Sequence, residues 1–414
     1  MGETSTSVEI ILKSINDINS DSFETDGDRV NALLAAYALV SRLETPWETV
    51  ARIVLNEPLL AASLKILVDL QLFERWQEKG DMVESCDNLA GMVNCDPSFL
   101  GRILRHLAAN NLLKEISTNL YKPTKLTNTL LLSKHGEWIN WMFDNGLPAV
   151  AKMPEFLQKT DYKSPTDPED GIFQYAKEYK GDLFKYFADN PRDGECFNHC
   201  MGGVMAQQVN WLKLIPVEEF LSGADPELPL VVDIGGSLGH DLDKFRLAYP
   251  DTASKLYLQD LPEVIERSTC PNPVNKMAHD FFQPQPVKST YPFNLKILFL
   301  SIDGSLIQLR DARIYYIHAV LHDWPNEHAR KILEMLHDAL KPGYSHLLIH
   351  DYVVPDQGAH RKMTSYDLSL MAAVAGKERT KSEFCDLLYS AGYRLVRVWR
   401  SSPASQAIIQ AELA

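Results

Sequence analysis

The chain has 414 residues, of which 45% are hydrophobic, and it carries a formal net charge of −14 at pH 7. This length predicts roughly two or three domains, and the acidic balance argues against a nucleic-acid partner, because phosphate binding needs basic patches. No apolar run approaches the roughly 18 residues that span a bilayer, no secretory signal is visible, and the six cysteines form no CxxC pair. We therefore expect a cytoplasmic protein with free thiols and no membrane partner.

The first third of the chain is patterned as helices followed by a small hairpin. Apolar spacing predicts helices over 31–40, 58–70, 89–96 and 97–109, and a hairpin turn at 117–119. This order is typical of a winged helix, which invites a DNA-binding interpretation. The basic and acidic residues of this region are nearly balanced, so we instead predict a dimerisation domain, with bounds 1–134.

Residues 135–222 are predicted to be helical and are rich in aromatic residues. Most of these side chains are expected to be core, although such a layer can also line a pocket for a flat substrate. Cys196, His199 and Cys200 resemble part of a metal site. A structural zinc site normally needs about four ligands, so we predict no metal here.

From Pro229 onward, short apolar strands alternate with helical segments. Such alternation predicts an α/β domain with a mostly parallel sheet, and a terminal hairpin would add antiparallel strands. We place this domain at 135–414. The predicted strands are 230–234, 256–258, 276–278, 314–317, 345–350, 393–399 and 404–410.

A glycine-rich turn follows the first of these strands and contains Asp233, Gly235, Gly236 and Gly239. Its spacing matches the dinucleotide fingerprint G-x-G-x-x-G imperfectly. A carboxylate at Asp233 would repel a pyrophosphate but would favour a cation. The turn therefore favours S-adenosylmethionine (SAM), which carries a sulfonium and an ammonium, over NAD.

Further polar residues stand at the ends of the next two strands. Asp260 follows the glycine turn by about 20 residues, a spacing that suits hydrogen bonds with ribose hydroxyls. Asp280 could accept the adenine amino group, and Phe281 could stack on that ring. After the strand at 314–317 comes His322, at the sheet edge where α/β proteins bind ligands, and a histidine there can move a proton near neutral pH.

Five segments together carry a family resemblance: Asp233-Ile-Gly-Gly-Ser-Leu-Gly239, Leu258-Gln-Asp-Leu-Pro262, His279-Asp-Phe-Phe282, Leu321-His-Asp-Trp-Pro325 and Gly376-Lys-Glu-Arg-Thr380. With them, residues from about 55 to 400 resemble the plant and fungal SAM-dependent O-methyltransferases of the caffeate, flavonoid and sterigmatocystin type. The resemblance implies a Rossmann-like methyltransferase sheet, a winged-helix dimerisation domain, a homodimer and no metal.

The resemblance also implies roles for particular residues. His322 corresponds to the general base, which would take a proton from a phenolic hydroxyl, and Asp351 and Glu378 match the two acids that flank it. Met201 matches a methionine that packs on the acceptor ring, and Phe197 lies in the same segment. The expected reaction is methylation of a hydroxyl of a small aromatic secondary metabolite.

Several positions depart from the pattern of the family. Asp351 is one methylene shorter than the usual Glu, and Ser237 replaces a common third glycine. His318 stands where the family usually has Lys or Arg near the cofactor, so we expect it to be part of the cofactor site. A metal site formed by His318, His322 and His328 is disfavoured by their spacing.

Residues 288–311 form an unusual insertion for which two explanations stay open, an added surface hairpin or a translated intron. Loops longer than about 12–15 residues are uncommon in compact domains. Rival functions also stay open: an NAD(P)-dependent oxidoreductase, a winged-helix regulator, or a SAM-binding protein that is inactive or performs C-methylation or decarboxylation.

Overall fold

The structure is a computed structural model and describes residues 2–206, 208–288, 299–300, 306–307, 311–402 and 404–414. The chain divides into two compact units, residues 1–131 and 132–414. The boundary predicted from the sequence, after residue 134, lies three residues further along. None of the described helices is long and apolar enough to cross a membrane.

The first unit contains mostly helices and one small sheet. The predicted hairpin is present as the strands Lys114–Ser117 and Leu120–Lys122, and Asp96 caps a helix by accepting the N–H of Ser98 at 2.8 Å. In the sheet, Leu120–Lys122 lies between Glu84–Ser85 and Lys114–Ser117. The elements are α1 (Gly2–Asp17), α2 (Asp26–Leu43), α3 (Pro46–Ala51), α4 (Glu57–Asp69), α5 (Leu72–Glu78), β1 (Glu84–Ser85), α6 (Cys86–Val93), α7 (Pro97–Ala109), β2 (Lys114–Ser117), β3 (Leu120–Lys122) and α8 (Lys125–Leu130).

The second unit begins with a helical layer. Its aromatic side chains pack on one another: the ring centroid of Phe197 lies 5.0 Å from that of Trp141 and 4.8 Å from that of Phe187. Aromatic pairs at these separations contribute beyond simple area burial. The helices are α9 (Ser133–Trp141), α10 (Leu147–Lys159), α11 (Ile172–Lys177), α12 (Leu183–Asp189), α13 (Pro191–Ala206) and α14 (Val217–Ser222).

The remainder of the second unit is an α/β domain. Between residues 289 and 310 of the predicted insertion, the structure describes only two paired strands, Phe299–Leu300 and Leu306–Ile307. The other residues of that stretch lie outside the described part of the chain. The elements are β4 (Val231–Ile234), α15 (His240–Ala248), β5 (Leu256–Asp260), α16 (Pro262–Arg267), β6 (Asn275–Ala278), β7 (Phe299–Leu300), β8 (Leu306–Ile307), β9 (Ile314–His318), α17 (Asn326–His337), β10 (His346–Asp351), β11 (Val353–Val354), α18 (Arg361–Val374), β12 (Arg379–Thr380), α19 (Lys381–Ser390), β13 (Tyr393–Arg400) and β14 (Ala407–Leu413).

The main sheet has the strand order β13-β14-β10-β9-β4-β5-β6. The neighbouring strands β10, β9, β4, β5 and β6 are parallel to one another, and β14 pairs antiparallel with both β10 and β13. The predicted sheet is thereby confirmed, including its antiparallel addition. All residues of β4 and β9 are buried, as expected for parallel strands covered on both faces.

The chain order reverses between β4 and β9. After β4 the sheet grows through β5 and β6 in one direction, and it then resumes at β9 and β10 in the other. Open α/β sheets bind ligands beyond the carboxyl ends of the strands at such a reversal. Asp233 lies near the end of β4 and His318 at the end of β9, so the topology brings the predicted residues to one edge of the sheet.

Candidate active site

The glycine turn between β4 and α15 passes closely over Asp233. A Cβ atom on Gly236 would lie 2.5 Å from Cγ of Asp233 and 2.6 Å from Cδ1 of Leu258. Because real side chains do not approach so closely, only glycine fits at this position. Asp260 holds the turn from the neighbouring strand, since one carboxylate oxygen accepts the N–H of Ser237 at 2.8 Å.

The carboxylates of Asp233, Asp241 and Asp260 lie close to this turn. Asp233 is 2% exposed, and burial together with the charges of Asp241 and Asp260 raises its pKa well above the usual range. A negative potential of this kind favours a cationic ligand and disfavours a phosphate. The side chains at the turn therefore fit the sulfonium and ammonium groups of SAM, as the sequence suggested.

Asp280 and Phe281 follow β6, near the same turn. Asp280 accepts the N–H of Phe282 at 2.9 Å, which orders the loop. The ring of Phe281 lies 3.6 Å from where a Cβ atom of Gly235 would stand. The structure thus brings Phe281 against the glycine turn; the proposed contacts with the adenine stay a prediction.

His318 lies in a buried hydrogen-bonded network. Its Nδ1 atom pairs with Asp241 on α15, and its Nε2 atom lies 2.9 Å from Oε1 of Gln406. Its ring stacks on that of His350, with 4.0 Å between centroids, and Nδ1 of His350 lies 2.8 Å from the hydroxyl of Tyr316. The contact of His318 with a cofactor, expected from the sequence, stays a prediction.

Within the described part of the chain, Asp241, His318 and His350 are also close enough to share a metal ion. A ring nitrogen donates its lone pair in the plane of the ring, and two stacked rings cannot both direct such lone pairs to one ion lying between them. Both ring nitrogens of His318 and Nδ1 of His350 already have hydrogen-bond partners. We therefore interpret the cluster as a hydrogen-bonded network that joins the glycine turn to the sheet.

The second cluster surrounds His322, in the turn that follows β9. Its Nδ1 atom lies 3.1 Å from Oε1 of Glu378 and 3.7 Å from Oδ1 of Asp351. The structure therefore brings together the three residues that the sequence predicted, and the shorter side chain of Asp351 still reaches the ring. On the other side, Nε2 lies 3.5 Å from Oδ1 of Asp323. Sequence reasoning gave Asp323 no role, although it directly follows His322.

The loop that carries Glu378 is fastened to the turn that carries His322. The buried guanidinium of Arg379 donates to the main-chain oxygens of Leu321 at 2.7 Å and Trp324 at 2.8 Å. A Cβ atom on Gly376 would lie 2.2 Å from the main-chain oxygen of His322, so these two backbones are in direct contact and only glycine fits between them.

The charges around His322 determine its basicity. Burial alone would lower the pKa of the imidazole, but the carboxylates of Glu378, Asp351 and Asp323 together raise it to about 10. Burial raises the pKa of Asp351 to about 7 and that of Asp323 to about 6. Among the described residues, neither carboxylate oxygen of Asp351 has a hydrogen-bond partner, and Oε2 of Glu378 also lacks one. Perturbed, incompletely paired groups of this kind concentrate at functional sites.

The predicted acceptor residues, Phe197 and Met201, both lie on α13. Phe197 is part of the aromatic cluster with Trp141 and Phe187, and Met201 packs at its edge. The packing suits either a core role or the wall of a pocket, so their contact with an acceptor stays a prediction. Cys196 and Cys200, considered above as metal ligands, are free thiols of the same helix.

A glycine turn with three carboxylates and a histidine flanked by carboxylates, both at one sheet edge, are features expected of the SAM-dependent methyltransferases of the α/β type. Comparison with known proteins places the chain within that class. A model of the O-methyltransferase domain matches residues 165–394, and a model of the O-methyltransferase dimerisation domain matches residues 54–133. The chain belongs to the SAM-dependent O-methyltransferase family.

Particular relatives agree with this assignment. The chain is 50% identical over 412 residues to O-methyltransferase mfmE of Annulohypoxylon moriforme, which covers 100% of this chain and 97% of that protein. A solved structure described as a pericyclic reaction enzyme matches with a TM-score of 0.83 and 27% identity, covering 100% of both chains. The structure of OxaC in complex with SAH and oxaline matches with a TM-score of 0.80 and 25% identity, covering 100% of this chain and 98% of that one. The predicted fold class, family and methyl donor are confirmed.

Proposed function

We propose that this enzyme transfers the methyl group of SAM to a hydroxyl of a small aromatic secondary metabolite, of phenolic or polyketide type, with His322 as the general base. The observation that carries the proposal is the pairing of Nδ1 of His322 with Glu378 at 3.1 Å. This pairing fixes the proton of a neutral ring on Nδ1 and leaves the lone pair of Nε2 for a substrate proton.

The chemistry of the acceptor matches this base. Phenols have a pKa near 10, and the pKa of His322 is raised to about 10, so proton transfer between them is nearly balanced in free energy. SAM, when bound, supplies an electrophilic methyl carbon. Glu378 orients the imidazole, and His322 takes the hydroxyl proton as the oxygen becomes nucleophilic. Alignment of two bound reactants supplies much of the remaining acceleration.

The test is mass spectrometry of labelled methyl transfer from SAM to a panel of phenols. We expect His322→Gln to lower kcat at least about 100-fold, the usual range for losing a general base, while isothermal titration shows unchanged SAM binding. His337→Gln is the matched control, because His337 is a partly exposed histidine paired with a neighbouring aspartate. Full methylation by His322→Gln would show that the base assignment is wrong.

A second candidate is a SAM-binding enzyme with another reaction. It is favoured by the likeness to a pericyclic reaction enzyme over the whole chain. The arrangement of His322, Asp351 and Glu378 favours methyl transfer instead. The same experiment separates the two: a product that is heavier than the acceptor by one methyl group supports methylation, whereas an isomer of unchanged mass supports a rearrangement. Titration with NAD, and DNA retention at moderate salt, test the remaining rivals.

We further propose that the protein is a homodimer. The match to the dimerisation domain supports this, and α1 presents an apolar stripe in which Val8, Ile11, Leu12 and Ile15 are all exposed within the chain. Residues at this spacing share one face of a helix. Light scattering should give twice the chain mass for the wild type and a lower mass for Leu12→Glu. A cytoplasmic location is proposed because all six cysteines are free thiols.

A further inference from the structure

Of the three carboxylates described around His322, that of Asp323 faces Nε2. Its Oδ1 atom lies 3.5 Å from that nitrogen, while Glu378 and Asp351 face Nδ1 on the opposite side of the ring. A neutral imidazole carries a proton on only one of its two nitrogens. The ring can therefore donate a hydrogen bond to a carboxylate on each side only when both nitrogens are protonated. That is the state that follows uptake of a substrate proton.

Asp323 also differs from the other two acids in exposure. Its side chain is 23% exposed, whereas those of Asp351 and Glu378 are 0% and 1% exposed. Asp323 therefore lies on the open side of the cluster and the other two lie behind the ring. An acceptor hydroxyl that approaches Nε2 must come from this open side.

Among the described residues, the carboxylate of Asp323 forms its ion pair with His322. The buried guanidinium of Arg379 is directed instead to the main-chain oxygens of Leu321 and Trp324 and to the side-chain oxygen of Asn326. Asp367, the other acid beside the cluster, accepts the main-chain N–H of Glu378 at 2.9 Å. The negative charge of Asp323 thus acts chiefly on His322.

We propose that Asp323 is a positioning residue that acts through His322 by stabilising the proton on Nε2. This inference rests on the proposed role of His322 as general base. In the step concerned, the hydroxyl O–H bond breaks, a bond between Nε2 and the proton forms, and the oxygen keeps the electron pair. The new Nε2–H faces the carboxylate of Asp323, so the positive charge gained by the ring is compensated where it appears.

The test is the pH profile of kcat/KM for the wild type and for Asp323→Asn, measured with one acceptor so that the ionisation of the acceptor is the same in both. The rate depends on the neutral form of His322 and rises with pH up to the pKa of that group. Removing an opposite charge at this distance should move the rising limb to lower pH by about one to two units. The plateau should fall about three- to tenfold, because the base is weaker.

The controls separate electrostatics from structure. Asp323→Glu keeps the charge, so the rising limb of its pH profile should lie most of the way back toward the wild-type pH. Asp338→Asn removes the carboxylate of an exposed aspartate that also adjoins a histidine, and it should leave the profile unchanged. If Asp323→Asn lowers the rate equally at every pH, or if Asp323→Glu resembles it, Asp323 has only a structural role and the proposal is wrong.

A second measurement does not depend on turnover. Nitrogen NMR of histidine-labelled protein, with His322 assigned by its loss in His322→Gln, follows the protonation of Nε2 as the pH is raised. We expect Nε2 to lose its proton at a lower pH in Asp323→Asn than in the wild type. Equal midpoints in the two proteins would overturn the proposal. If His322→Gln keeps full methylation, the proposed function is wrong whatever Asp323→Asn does. If His322→Gln abolishes methylation but Asp323→Asn leaves the rising limb of the pH profile at the wild-type pH, only the inference about Asp323 is wrong.

Discussion

His318 and His322 are four residues apart, and both are paired with carboxylates, yet their surroundings differ. Each ring nitrogen of His318 has its own partner, and Asp241 in turn binds Lys244 at 2.8 Å. Around His322, both oxygens of Asp351 lack hydrogen-bond partners within the described residues. A fully satisfied buried network rigidifies a fold, whereas an incompletely satisfied one is costly and reactive. The cluster around His318 is therefore suited to hold the glycine turn, and the cluster around His322 is suited to accept a proton.

The strongest test of this contrast is Glu378→Gln, which keeps the shape of the side chain but removes its charge. We expect kcat to fall about 100-fold, because the imidazolium formed in the reaction loses its nearest anion. Glu327→Gln, at an exposed glutamate paired with Arg330, is the control. A loss confined to KM, with kcat preserved, would contradict a role for Glu378 in the chemical step.

The next largest expected effect is that of Gly236→Ala in the glycine turn between β4 and α15. The added Cβ atom would overlap Asp233 and Leu258, so the turn must move away from its position. We expect the Kd for SAM, measured by isothermal titration, to rise about tenfold or more, since about 1.4 kcal/mol of lost binding free energy corresponds to tenfold. Gly91→Ala, at a helical glycine with open space around it, should leave the Kd unchanged. Equal SAM affinity in both variants would show that the turn is not the donor site.

His318→Gln should have a smaller effect of a different kind. The variant leaves the buried carboxylate of Asp241 with one partner fewer, which should lower stability by about 1–3 kcal/mol. We expect a lower Tm and a KM for SAM raised several-fold, with kcat close to the wild-type value. If kcat falls as far as in Glu378→Gln, the distinction between the two histidine clusters does not hold.

The smallest expected effect is on stability, in Asp351→Asn. Burial raises the pKa of Asp351 to about 7, against about 3.9 in an unfolded chain. The folded protein therefore binds this proton more tightly than the unfolded chain, and its stability falls as the pH rises between those values. Asparagine removes the penalty, so the Tm of the variant minus that of the wild type should grow from about pH 4 to pH 6. A difference that stays constant or shrinks over this range would contradict a destabilising carboxylate.

The sequence was informative where function depends on residues close together in the chain. Apolar runs located the strands of the sheet, and the motif at 321–325 located His322. Asp351 and Glu378, the partners of His322, were named through the family resemblance and not from spacing. The partners of His318 were not found, because contacts across the sheet leave no local pattern: Gln406 lies 88 residues from His318. Asp323 was missed for the opposite reason, since adjacent side chains usually point apart and only the turn after β9 brings its carboxylate to the ring.

The hydrogen bonds of Arg379 have a consequence for how this enzyme can diversify. They tie the segment that carries Glu378 to the turn that carries His322 through main-chain oxygens, and such bonds depend little on which side chains surround them. We therefore expect substitutions in the helical layer of α10 to α13 to leave the distance between His322 and Glu378 unchanged. Libraries built on these helices should then change acceptor preference while the basicity of His322 stays nearly constant.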